Sequence, residues 1–232
     1  MSEDTLPVFE RFFSFQGEGV HMGRSAFFIR TFGCPVKCPW CDSAGTWHKD
    51  YVPSHIEKMS PFTLADEAYA SGAEIVVVTG GEPTIHSLSL LTEALKARAI
   101  PSHLETSGCF PIQGRFDWVT LSPKKWKLPL VQNLQIADEF KFIIEAPEDI
   151  EFYWKVLGSC SERGGIDSNV WLHPEWSQRG NENVLRAICE AVKEYPGRYR
   201  AGWQLHKLYQ VDRGDVRSRP MVPLGGDLRK GF

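Results

Sequence analysis

Nowhere in the 232 residues is there an apolar run approaching the roughly 18 to 20 residues that a membrane span requires. There is no basic excess either: the formal charge is −3, and acidic and basic residues are mixed along the chain. A nucleic-acid surface would show a basic stripe, so neither a membrane nor a nucleic acid is expected as a partner. The opening segment, MSEDTLPVFERFFSFQGEG, is acidic at its start and lacks the positive region and apolar core of a secretory leader. A cytoplasmic location is therefore expected. No repeat at a solenoid period and no low-complexity stretch is visible. What is present is an ordinary globular composition, with 42% hydrophobic and 12% aromatic residues, enough for a sizeable core.

The six cysteines are unevenly spread. In a reducing compartment, closely spaced cysteines point to metal or catalysis rather than disulfides. Cys109, Cys160 and Cys189 stand singly and read as buried or incidental thiols. Cys34, Cys38 and Cys41 fall inside GCPVKCPWCDSAG, a C-x3-C-x2-C loop. Structural zinc wants four ligands, and no second Cys/His pair follows at finger spacing. A 4Fe-4S cluster held by three cysteines leaves one iron open, and thiolate-rich loops suit such clusters. The spacing favours iron–sulfur over zinc, with unligated thiols as the third reading.

Strands and amphipathic helices alternate around this loop. Strands are expected at 25–32, 74–80, 102–106, 117–122, 139–144, 169–173 and 200–206, and helices at 63–72, 87–98, 147–157 and 182–195. Thr63 and Asp66 stand in capping-box-like spacing at the start of the first helix. Such alternation predicts a parallel α/β architecture. A closed eight-fold barrel takes about 250 residues, so a partial, TIM-like β/α barrel fits better. The polar stretches CPVKCPWCDS, TGGEPT, ETSGC, SPKK, HPEW and QLHK each follow an expected strand, which places one active site at the strands' C-terminal ends. Residues 1–212 read as a single core and 213–232 as a Gly/Arg/Pro-rich tail of disorder-favouring composition.

The triad with Trp40 before its third cysteine, followed by TGGEP at 79–83, resembles the radical S-adenosylmethionine (SAM) superfamily. QGEG ahead of the triad, CDS after it, and ETSG, SPK and WQLHK in order are similar to the 7-carboxy-7-deazaguanine synthase family of queuosine and 7-deazapurine biosynthesis. The resemblance runs over roughly residues 8 to 212. It implies a radical ring contraction of 6-carboxy-5,6,7,8-tetrahydropterin with loss of ammonia, using a 4Fe-4S cluster, SAM as a true cofactor, and Mg2+. It also implies a homodimer and an electron donor such as flavodoxin.

By the same resemblance, Cys34, Cys38 and Cys41 would ligate the cluster. Trp40, Asp42, Gly81 and Glu82 would flank SAM, with Ser122, Pro123, Lys124 and Pro174 also on the cofactor side. Phe15, Gln16, Gly17, Glu18, Arg30 and Thr79 would bind the pterin, and Ser43 would ligate magnesium where many members carry threonine. Independently of the family, Gly80 and Gly81 after a buried strand permit close backbone approach, and Glu82 offers a carboxylate to an ammonium. An arginine fork at position 30 suits a substrate carboxylate.

Two features depart from the family. HPEW at 173–176 stands where a glutamine-proline pair is usual, and about twenty residues continue past Asp212. The rival enzyme reading is a radical SAM activase that makes a glycyl radical on a partner, and the non-enzymatic rival is a zinc- or cluster-binding module.

Overall fold

A computed structural model of the chain describes residues 5–158 and 169–209, together with Asp215. The tail beyond Tyr209, apart from Asp215, and Cys160 lie outside the described residues.

The β-branched run Ile75–Gly80 forms β4, whose Ile75, Val76, Val77 and Val78 are fully buried, as a strand covered on both faces must be. It belongs to a nine-stranded sheet whose other members are β1 (Leu6–Phe15), β2 (Ser25–Thr31), β3 (Glu57–Met59), β5 (Ser102–Thr106), β6 (Trp118–Leu121), β7 (Glu139–Ile144), β8 (Asn169–Pro174) and β9 (Tyr199–Ala201). The order is β3-β1-β2-β4-β5-β6-β7-β8-β9, so the sheet has two ends and is not a closed barrel. From β2 to β9 every pairing is parallel. Helices α1 (Pro61–Ser71), α2 (Ser89–Ala97), α3 (Val131–Leu134), α4 (Asp149–Gly158) and α5 (Glu182–Glu194) lie between strands, and α6 (Leu205–Tyr209) follows β9.

Three expectations are corrected. β1 was not expected at all; it pairs antiparallel with β2 and with the short edge strand β3, and a register shift between Val8 and Glu10 breaks the period-two pattern that would have revealed it. The strand expected at 200–206 ends at Ala201, and Leu205, His206 and Lys207 are helical. The first helix starts earlier than Thr63: the Ser60 hydroxyl caps it by accepting from the Phe62 N–H, Pro61 takes the first helical position, and Gly72 ends it at φ +72°.

The two faces of the sheet differ. Phe140, Phe142 and Ile144 of β7, Leu104 of β5 and Val170 and Leu172 of β8 enter the main core under the helices. Phe142 stacks on Tyr153 of α4 with ring centroids 4.6 Å apart. Their alternating neighbours Glu105, Glu139, Lys141 and His173 point to the opposite face by the strand period. On that face β1, β2 and β4 close a small apolar floor of Phe12, Ala26, Phe28, Ile75 and Val77. A polar interior on this scale is costly unless its members satisfy one another.

Candidate active site

A cavity of about 240 Å³ lies at the C-terminal ends of the parallel strands. The cysteine loop after β2, the Thr79–Glu82 turn after β4, Glu105 to Ser107 at the end of β5, Lys124 after β6, Lys141 of β7, Trp176 after β8 and His206 of α6 all contribute to its wall. The wall is completed by Phe15 to Glu18, the segment leaving β1.

The cysteine loop and the GGE turn are fastened together by backbone. Gly81 N–H donates to Thr31 C=O at 3.0 Å, and Glu82 N–H to Gly33 C=O at 2.9 Å. A Cβ added at Gly81 would overlap the Gly33 carbonyl oxygen, so glycine is required by this contact between two segments of the chain. Glu82 is 1% exposed. Its carboxylate accepts from Thr84 N–H (3.2 Å), Thr84 Oγ1 (2.7 Å), Thr106 Oγ1 (2.5 Å), Ser107 N–H (2.9 Å) and Ser107 Oγ. The side chain expected to meet an ammonium thus also ties β4 to β5.

Cys34, Cys38 and Cys41 all line the cavity and pack with Val36, Trp40, Cys109 and Phe110. No set of three or more His, Cys, Asp or Glu side chains among the described residues already stands in an arrangement that could hold a metal ion. The donor chemistry nevertheless fits an iron–sulfur cluster: three free thiols of one short loop facing one cavity. Burial pushes the Cys38 thiol up to about 11 and the Cys41 thiol up to about 12, with Asp42 adding to the latter. Loading therefore has to expel the thiol protons as the sulfurs draw together. Lys124, buried beside Cys38, is held by the Ser122 carbonyl at 2.5 Å and hydroxyl at 2.7 Å, and burial lowers its pKa. Trp40 Nε1 is buried with no partner, a donor suited to an acceptor on a cavity ligand. Cys109 is buried against the loop, with Ser107 Oγ 2.9 Å from its sulfur, but it does not line the cavity.

The same cavity wall holds a closed hydrogen-bonded circuit. Lys141 Nζ contacts Glu18 Oε2 at 2.5 Å and Glu105 Oε2 at 2.8 Å. Gln16 Nε2 donates to Glu105 Oε1 at 2.8 Å, while Gln16 Oε1 accepts from the Glu18 N–H at 3.1 Å. Gln204 Nε2 donates to Glu18 Oε1 at 3.0 Å. Burial disfavours the Glu18 charge, but Lys141 outweighs it and holds the carboxyl well below its ordinary range. Lys141, despite its burial, is held cationic by Glu105 and Glu18. Leu205 N–H donates to Gly17 C=O at 3.0 Å, which fixes α6 against this segment.

Arg30 Nε pairs with Glu10 at 3.1 Å and Arg30 Nη1 donates to Ser43 Oγ at 2.6 Å. The Ser43 hydroxyl in turn lies 3.4 Å from Asp42 Oδ1. Asp42 Oδ2 pairs with the buried Lys207 at 3.1 Å. Burial opposes the Asp42 charge, yet Lys207, His206 and Arg30 hold the carboxyl below its ordinary range. Thr79 stands opposite Arg30 in the β2–β4 register.

Of the residues expected from sequence, all sixteen besides Pro123 and Pro174 enter the cavity wall together, Arg30, Ser43 and Thr79 among them, with Glu18 and Lys124 buried in it. Pro123 and Pro174 are buried outside the wall; Glu175 and Trp176 take the place beside Pro174. Glu105 and Lys141 were missed. Their signal was charge inside strands that otherwise read as buried, in SHLET and EFKFII.

With this geometry in hand, comparison with known proteins is decisive. Residues 28–186 match the Radical SAM superfamily. A 7-carboxy-7-deazaguanine synthase from Synechocystis is 39% identical over 208 residues, covering 89% of this chain and 94% of that protein. The chain belongs to the 7-carboxy-7-deazaguanine synthase family of radical SAM enzymes. The synthase from Prochlorococcus marinus is 36% identical over 87% of this chain and 96% of its own. The crystal structure of QueE from Escherichia coli superposes with a TM-score of 0.75 at 31% identity, covering 87% of this chain and 95% of that one. A radical SAM family implies a 4Fe-4S cluster and SAM, and the three free thiols of the loop line the cavity.

Proposed function

We propose that this protein converts 6-carboxy-5,6,7,8-tetrahydropterin to 7-carboxy-7-deazaguanine with loss of ammonia. The observation that carries the reading is one cavity lined by both a three-thiol loop and a charged, fully hydrogen-bonded acceptor circuit. When bound, the cluster and SAM supply reductive cleavage to a 5′-deoxyadenosyl radical.

The chain's own residues do the rest. Cys34, Cys38 and Cys41 hold the cluster. Trp40, with Lys124 Nζ 5.3 Å from its ring centroid, forms an apolar and cationic wall for the nucleoside end of SAM. Asp42, Gly81 and Ser122 complete that side. Glu82 keeps the turn in place, and it meets the methionyl ammonium when one of its three hydroxyl donors turns away. Gln16 and Glu18 read the pterin's donor edge. Arg30 meets the substrate carboxylate, its fork already oriented by Glu10 and Ser43. Phe12 and Phe28, stacked at 5.1 Å, form an apolar floor that excludes water from the reacting ring.

Magnesium is proposed at Ser43, where the adjacent Asp42 adds a second hard oxygen; two protein oxygens suit an ion that completes its shell with substrate and water. Residues 1–212 act as the catalytic unit, as a homodimer in the cytoplasm, reduced by a flavodoxin-type donor. No helix among the described residues is long and apolar enough to cross a membrane.

The test is anaerobic reconstitution followed by iron and sulfide analysis and a SAM-cleavage assay with and without the pterin. About four iron and four sulfide per chain, with cleavage accelerated by the pterin, supports the reading. Zinc without sulfide, or a glycyl radical raised on a partner protein, refutes it.

A further inference from the structure

The acceptor circuit contains a residue that the functional reading does not use. Lys141 sits on β7, 5% exposed, with its ammonium between two carboxylates that come from distant parts of the chain. A buried lysine is costly on its own, so its position needs a reason. Each carboxylate gives one oxygen to Lys141 and the other to a glutamine amide, Gln204 for Glu18 and Gln16 for Glu105. The glutamines are neutral and hold direction; the lysine supplies the charge.

We propose that Lys141 is a positioning residue that holds the Glu18 and Glu105 carboxylates at a fixed spacing, so that together they read the amino and ring N–H donors of a 2-amino-4-oxopyrimidine ring. The inference deepens the pterin reading of this cavity and rests on it. Two acceptors beside each other reject a ring that lacks the amino donor, because a buried acceptor is then left unmet.

The alternative counter-charges in the cavity do not replace the lysine. His173 faces the circuit from β8, but burial lowers its pKa to about 4, and both its ring nitrogens are buried without partners, so it is neutral near pH 7. His206 of α6 lies 3.8 Å from Glu18 Oε1, and burial lowers its pKa too. Lys124, after β6, is turned to Ser122. Glu139, on the same face of β7, adds a further carboxyl whose pKa burial raises; it accepts from the Val20 N–H, Trp171 Nε1 and Thr120 Oγ1. With Lys141 removed, the cation that both Glu18 and Glu105 contact is gone, and two neighbouring carboxyls without a counter-charge come to share a proton. One takes up a proton and is lost as an acceptor.

The test follows KM for 6-carboxytetrahydropterin from about pH 6 to about pH 9 in wild type, Lys141→Met and Lys141→Met/Glu105→Gln, all cluster-loaded and anaerobic. Lys141→Met is expected to raise KM about tenfold or more at neutral pH, and that KM falls as pH rises relative to wild type. The double variant keeps a high KM but loses the pH trend, since only one ionisable carboxyl remains. A Lys141→Met profile parallel to wild type overturns the proposal, because a purely structural lysine gives no pH trend. Unfolding of both variants, read by circular dichroism, overturns it in the same way; unfolding of Lys141→Met alone, relieved in the double variant, supports it. If wild type does not turn over the pterin, the functional reading fails first. The infrared carboxyl band of ligand-free Lys141→Met then decides the lysine's role separately: a protonated carboxyl at neutral pH supports it and its absence overturns it.

Discussion

Replacing Glu82 with glutamine separates a fold-holding role from a cofactor role. The carboxylate accepts from two backbone N–H groups, Thr84 and Ser107, and from three hydroxyls. Hydroxyls can turn and accept; backbone N–H groups cannot. A glutamine must therefore aim its NH2 at one fixed N–H, leaving a buried donor without an acceptor, which costs about 1–3 kcal/mol. Losing the charge on the remaining bonds adds roughly another 1 kcal/mol. At 1% exposure no water relieves either cost. The expected loss is about 2–4 kcal/mol, read as a lower urea midpoint with an unchanged slope in metal-free protein without SAM. A change below about 0.5 kcal/mol refutes the reasoning and leaves Glu82 with a ligand role alone.

The other predictions concern iron, substrate and pH. Cys38→Ser is expected to lose most of its bound iron after reconstitution, while Cys109→Ser, whose sulfur lies outside the cavity wall, retains it; iron analysis and the visible spectrum check both. Arg30→Ala is expected to abolish ring contraction while keeping wild-type iron content, measured by product mass spectrometry and metal analysis. His103 has its pKa lowered to about 4, first by burial and then by His21 and Arg24, with Asp117 opposing. The unfolded chain protonates this histidine near pH 6.5 and the folded one only near its lowered value, so stability falls as pH drops through that window. The contribution is about 2 kcal/mol between roughly pH 7.5 and pH 5, and His103→Gln removes it from the acid limb of a urea titration. His173 has the same lowered value, so part of the limb remains.

Much of this fold could be read from local pattern. SHLET and EFKFII have the strand bounds expected, because a glycine or proline turn or a charged break flanks each run. Ser60-Pro61 was a readable helix start that Thr63 displaced. The rest depends on distant contacts. β1 carries a bulge, so its period fails locally and only pairing with β2 shows it as a strand. WQLH has strand composition, but Leu205 N–H bonds to Gly17 and Lys207 is buried against Asp42, and these contacts select a helix. The cysteine loop was legible because its three cysteines fall within eight consecutive residues. The Glu18–Lys141–Glu105 circuit was not, because its members lie on separate strands and loops far apart in sequence. Charge alternating with phenylalanine in EFKFII still marked a polar inner face.

The account's central claim is that the thiol loop and the acceptor circuit serve one substrate in one cavity. Anaerobically reconstituted protein supplied with dithionite, SAM, magnesium and 6-carboxytetrahydropterin tests it by mass spectrometry. Formation of 7-carboxy-7-deazaguanine, with ammonia released in equal amount, is the result predicted. SAM cleavage by a fully loaded cluster that leaves the pterin unchanged would contradict it.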